Sequence, residues 1–206
     1  MFGQQKIILQ ERSEIRIGFP RLKHVVIIRN ILIGFISFVV MNGCNSEPEK
    51  KLNLYFNLEK YFEEQITQLD SVKPEVQKIV TSDGKSETKS SRAIIWRNEL
   101  KPFLEVDLNK PVFQNKFLVD TILGEESYSV VYTAIDSTIP VQFAMVDFDD
   151  KQRVSQIRLK VISKNKIYSS EQSLSYQAFK GYSVELEEDI FPQKKRSYSL
   201  FARFFK

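Results

Sequence analysis

The chain has 206 residues and a formal charge of +4, from 30 Lys and Arg against 26 Asp and Glu. Residues 1–43 hold six of those basic residues and two of the acidic ones, so residues 44–206 carry 24 of each and no net charge. A balanced domain has no global field with which to gather nucleic acid or an anionic surface.

In chain order, the first feature is a basic flank of Arg21, Lys23 and Arg29, followed by an apolar run from Ile31 to Met41. That run is too short to cross a hydrocarbon layer, which takes about 20 apolar residues as a helix. It suits the hydrophobic region of a signal peptide, which lies behind a basic start. An uncleaved signal anchor over Val25 to Gly43 is the rival, and it would bury Arg29 and Asn30 at a cost. Residues 1–20 mix Lys6, Glu11, Arg12, Glu14 and Arg16, unlike the basic start of a signal peptide, and read as an extension ahead of the true start. The run ends in Met41-Asn42-Gly43-Cys44.

Those four residues resemble the lipobox of bacterial lipoproteins. The resemblance implies a leader over residues 1–43, cleaved before Cys44, with Cys44 diacylated on its thiol and acylated on the new amino terminus. It makes the membrane a partner through lipid on Cys44, since two or more chains hold firmly where one binds marginally. With that thiol capped and His24 lost with the leader, no disulfide, no usual zinc or copper site and no histidine-dependent triad remains. No cofactor, metal or nucleic-acid site is expected.

Residues 44–52 read as a short polar tether, and 53–206 as a single α+β domain. Asn57 is a good helix N-cap. Leu58, Tyr61, Phe62, Ile66 and Leu69 recur at helical spacing until Pro74, which predicts a first helix. Glu75 to Thr81 and Lys85 to Lys89 flank Asp83-Gly84, a hairpin signal. Ser91 then reads as the cap of a second helix through Ala93, Ile94, Trp96, Leu100 and Phe103, with Trp96 in the core and Pro102 as a kink or end. From Phe117 the period becomes two. Strands are expected at Phe117–Leu123, Tyr128–Ile135, Val141–Phe148, Val154–Ile162, Lys166–Phe179, Tyr182–Leu186 and Ser197–Phe204. Short polar turns between them imply an antiparallel meander, with the two helices and the hairpin packed on it. Tyr198, Phe201, Phe204 and Phe205 make the last strand apolar on both sides, which favours a sheet covered on both faces over one curved around an apolar cavity.

Leu54-Tyr55-Phe56-Asn57-Leu58, Trp96-Arg97-Asn98-Glu99-Leu100 and Asp107-Leu108-Asn109-Lys110-Pro111 are together similar to a group of uncharacterised lipoproteins of Bacteroidota-type bacteria. No activity carries over from that group. It implies a place in the cell envelope, the outer membrane rather than the inner, with Glu47 and Glu49 in the zone where surface-bound members carry acids.

Several polar clusters invite a function and have plainer readings. Asp147, Asp149 and Asp150 lack the glycine and distal glutamate of a calcium loop and read as a solvated turn. Glu185, Glu187, Glu188 and Asp189 stand across a turn from Lys194, Lys195 and Arg196, which is cross-strand pairing. Ser169, Ser170, Ser173 and Ser175 carry no nucleophile signature. The expected role is a lipid-anchored envelope protein acting as a non-catalytic binding or structural module. A carrier of an apolar ligand between sheet and helices is the alternative, and a carboxylate hydrolase a more distant one.

Overall fold

The computed structural model describes residues 53–192 and 195–205. Cys44, His24 and the whole leader and tether lie outside them. The helix α1 spans Leu58–Val72. Asn57 caps it, its Oδ1 accepting from the Lys60 amide at 2.9 Å. It ends at Lys73 in the left-handed conformation, whose N–H returns to the Leu69 carbonyl before Pro74 stops the helix. Leu58, Phe62, Gln65, Ile66 and Leu69 form its buried stripe.

The hairpin follows as β1 (Glu75–Ser82) and β2 (Lys85–Ser91). Asp83 and Gly84 both take positive φ, 48° and 82°, as the tight hairpin turn demands. The expected second helix does not form. Two single turns replace it, α2 (Trp96–Glu99) and α3 (Lys101–Leu104), which break at Leu100. Pro102 is the reason: it has no N–H to bond back to the preceding turn, and it sits at the start of α3, where a proline fits. Ser91 Oγ accepts from Ala93 N in a local turn, and Ile95 stays extended. Trp96 is nonetheless core, 2 % exposed, edge-on to Phe204.

After a 3-10 turn at Pro111–Phe113 come β3 (Phe117–Leu123), β4 (Tyr128–Ala134), β5 (Val141–Phe148), β6 (Val154–Lys164), β7 (Tyr168–Gln177), β8 (Gly181–Ile190) and β9 (Arg196–Phe205). All nine strands form one antiparallel sheet in the order β2-β1-β9-β8-β7-β6-β5-β4-β3. The class is α+β. The sheet is a meander from β3 to β9, to which the early hairpin is appended by β1 pairing with β9, Glu75 opposite Phe205.

Packing covers one face. Ala144, Val146, Ile157, Leu159, Leu174, Tyr176, Tyr182 and Ala202 point from the strands toward α1 and its neighbours, all buried. Phe62 meets Phe103 at 5.0 Å and Tyr176 at 5.3 Å, so rings fill the layer between helix and sheet. The other face is open among the described residues, contrary to the expectation of cover on both sides. In β9, Leu200, Ala202 and Phe204 point inward while Phe201 and Phe205 stay 46 % and 42 % exposed. The strand is apolar on both sides, yet only one side is packed.

Candidate functional site

The expected continuous strand Lys166–Phe179 ends early, at Gln177, because the chain turns through Ala178, Phe179 and Lys180. Phe179 sits at φ 57°, a conformation that costs an ordinary L-residue roughly 1–2 kcal/mol, and it remains 48 % exposed. Three backbone bonds hold the turn: Ala178 N to Ser155 O, Lys180 N to Gln177 O, and Phe204 N to Lys180 O. Three residues earlier in the chain, Tyr176 carries a buried hydroxyl. That hydroxyl donates to Gln65 Oε1 of α1 at 2.9 Å. Burial pushes the Tyr176 hydroxyl above the ordinary phenol range, and the Phe179 amide opposes the shift.

Phe179 separates two recesses. The larger, about 720 Å³, lies between α1 and the turns joining β5 to β6 and β7 to β8. Tyr61, Glu64, Gln65 and Gln68 form its helix wall, and Asp149, Arg153, Phe179 and Lys180 face them. Two acids and two bases leave no net sign. Asp149 is spoken for: it accepts from the amides of Lys151 and Arg153 and takes both Nε and Nη2 of Arg153, at 2.9 and 2.7 Å. The Arg153 guanidinium holds the Asp149 carboxyl below its usual range and is itself raised.

Tyr61 is the unusual member of this wall. Its hydroxyl oxygen is buried and has no hydrogen-bond partner among the described residues. Burial first, then Tyr176 and Glu64, push that hydroxyl above the ordinary phenol range, so it stays neutral. A buried, unfilled polar group costs about 1–3 kcal/mol. Tyr61 thus lines the recess with its ring while its hydroxyl is sealed beneath the surface, unpartnered among the described residues.

The smaller recess, about 480 Å³, lies on the open sheet face, floored by Ser175 and Ser183 and flanked by Phe179, Phe201 and Arg203. Gly181 is required beneath it: a Cβ there would stand 2.1 Å from the Ala202 carbonyl oxygen of β9.

One further polar group is half-buried. Lys78 Nζ lies 2.6 Å from Glu99 Oε1, and the Tyr182 hydroxyl donates to Glu99 Oε2. Burial, reinforced by Glu99, raises the Tyr182 hydroxyl. Both Glu99 oxygens are filled by their own partners, which suits fastening α2 to β1 and β8 rather than handling a proton from outside.

The clusters singled out by sequence are dispersed. Asp147 bonds Ser129 Oγ and Arg158, turned away from Asp149, while Asp150 is exposed on the turn. Among the described residues no group of three or more His, Cys, Asp or Glu is placed to hold a metal ion. At the last hairpin Lys195 pairs with Glu187 at 2.5 Å and Arg196 stands opposite Glu188. Lys194 lies outside the described residues. Ser175 accepts from Gln156, and Ser170 is buried in β7. Sequence reasoning missed Tyr61 and Phe179. Lys180-Gly181 was the available signal for a turn, and it was overrun by a period-two pattern.

The chain matches no protein-family model, no curated protein and no solved structure. The functional reading therefore rests on residues and geometry alone. Among the described residues no helix is long and apolar enough to cross a membrane.

Proposed function

We propose that the chain is a lipid-anchored protein of the cell envelope, held through Cys44, whose domain is a non-catalytic binding module. The anchor half is supported by the order of basic flank, short apolar run, Gly43 and Cys44 in the sequence. An outer-membrane position fits Glu47 and Glu49 close behind the cysteine. The binding half is carried by one observation, Tyr61 in the lining of the larger recess, whose buried hydroxyl lacks a partner among the described residues and would gain one if a ligand opened that wall.

The recess lining indicates the ligand class. Its charges balance, it offers amides and a hydroxyl from Gln65, Gln68 and Ser155, and Phe179 gives it an aromatic rim. Such a lining suits an uncharged, hydroxyl-rich ligand such as a saccharide better than an ion or a lipid tail. An apolar ligand between sheet and helices is the weaker reading, because that layer is filled by Phe62, Phe103 and Tyr176. A carboxylate hydrolase has less support still, since Asp149, Glu99 and Glu187 each hold a cation of the chain itself.

Two measurements test the two halves. Fractionation of cells making the wild type and Cys44→Ser follows membrane attachment and leader cleavage. Loss of both in the variant is expected, and identical behaviour sinks the anchor. A thermal-shift screen of the full chain against envelope saccharides tests binding. A shift that Tyr61→Phe removes is expected, and an equal shift in both proteins places the ligand elsewhere.

A further inference from the structure

The two edges of the sheet, neither of them paired among the described residues, are built differently. The β2 edge reads Lys-Ser-Glu-Thr-Lys-Ser-Ser, and its charges discourage another strand from adding on. The β3 edge reads Phe-Leu-Val-Asp-Thr-Ile-Leu. Leu118, Val119, Ile122 and Leu123 are 58 %, 50 %, 55 % and 80 % exposed, with Asp120 as the one charge. It has no proline and no lysine, and its register with β4 runs unbroken from Phe117 to Leu123. Its backbone direction can be read from both ends. Gly124 N donates to Ser127 O, and Ile135 N to Lys116 O. Even-numbered residues therefore bond inward to β4, and the N–H and C=O groups of Phe117, Val119, Thr121 and Leu123 point out along the free edge.

We propose that this edge pairs with β3 of a second copy of the chain, antiparallel about a two-fold axis through Thr121, and so continues the sheet across the dimer. Self-pairing needs residues of like parity opposite each other, which leaves three central choices. A centre at Asp120 sets that carboxylate against its own copy and is disfavoured. A centre at Val119 sets Leu118 against Asp120. A centre at Thr121 likewise sets Asp120 against Ile122, and it sets Val119 against Leu123 twice and threonine against threonine. It also makes the ends complementary. Exposed Lys116 ahead of the strand and exposed Glu126 in the turn behind it are each five positions from Thr121 in sequence. The two-fold brings the Lys116 end of one copy to the Glu126 end of the other, once at either end. Charge at the ends thus favours the Thr121 centre over Val119, which sets Lys116 against Ile122, and a second copy is the occupant that supplies both charges in the right order.

The test is cross-linking of the full chain in detergent, together with its sedimentation mass. Across the axis two Thr121 Cα atoms stand about 5.5 Å apart, within disulfide range. Two Val119 Cα atoms are offset by four positions, roughly 13 Å. Mild oxidation is expected to yield at least roughly tenfold more disulfide dimer from Thr121→Cys than from Val119→Cys. Wild type, whose one thiol is Cys44, sets the background. The wild type is expected to sediment as a dimer, and Val119→Lys as a folded monomer by circular dichroism. A monomeric wild type overturns the proposal whether or not the cysteine variants fold. A dimer indifferent to Val119→Lys overturns it too. Preferential coupling at Val119 refutes the register, and a Thr121→Cys adduct with a different protein refutes the second copy as occupant.

Discussion

Changing Tyr176 to Phe removes one oxygen from the middle of the core. Tyr176 is fully buried and Gln65 is 6 % exposed, so the lost hydroxyl leaves Gln65 Oε1 facing no donor and no water. An unpaired buried acceptor costs about 1–3 kcal/mol. At about 2–4 °C per kcal/mol for a domain of this size, melting should fall by roughly 2–12 °C. Gln65→Met errs in the opposite direction, leaving the phenol without its acceptor, and costs a similar amount. Making both changes removes the demand along with the supply, and an apolar pair of similar shape is close to neutral. Urea unfolding of the four proteins gives the coupling energy, expected at about 1–3 kcal/mol with unchanged slope. Strictly additive losses would show that the Tyr176–Gln65 bond contributes nothing to the fold.

Phe62→Ala empties the centre of the ring cluster formed with Phe103 and Tyr176 and should cost about 3–5 kcal/mol by denaturant unfolding. Spectrophotometric titration at alkaline pH should leave Tyr61, Tyr132, Tyr176, Tyr182 and Tyr198 un-ionised at their reference value of 10.0, because burial raises each of them in the folded state. The stability these hydroxyls contribute is complete below that reference value and lost as pH rises toward their folded values, so absorbance should jump on alkaline unfolding. Asp149 has the opposite sign. Its depressed carboxyl supports the fold above its reference value of 3.8, and that support is lost as pH falls through the folded value. Asp149→Asn should flatten the acid limb of a melting-temperature profile, and an unchanged limb would remove Asp149 from the acid response.

Where local chemistry decides, the fold was legible. Ile157 and Leu159 alternate with Gln156 and Arg158, and both apolar residues are buried in β6. Asp83-Gly84 makes its hairpin, and Asn57 caps α1 through a side-chain bond that its residue type foretells. The second helix was misread because a helical spacing of apolar residues outweighed the backbone veto of Pro102. The β1–β9 pairing joins segments with nothing in common except their final neighbours, so no local pattern reports it. Tyr61 and Phe179 were hidden for a different reason. Tyr61 occupies a position every amphipathic helix fills with something apolar, and only three-dimensional packing shows that its oxygen lacks a partner among the described residues. Phe179 has a residue type that gives no hint of positive φ.

The hairpin's dependence on β9 governs when this domain can mature. Nothing in the ladder between β3 and β8 needs the first strands, yet β1 has no neighbour in the sheet but β2 until residues 196–205 arrive. A ribosome still holding residues 196–205 therefore releases an incomplete sheet, with Val76 lacking Phe204 and the Trp96 ring lacking its edge contact. Pairing across so long a separation is slow, because the loop entropy is spent before any contact repays it. The sheet's connectivity thus makes β9 the closing step: β3 to β8 can pair as they emerge, while the early hairpin waits, unattached, for the strand that docks it.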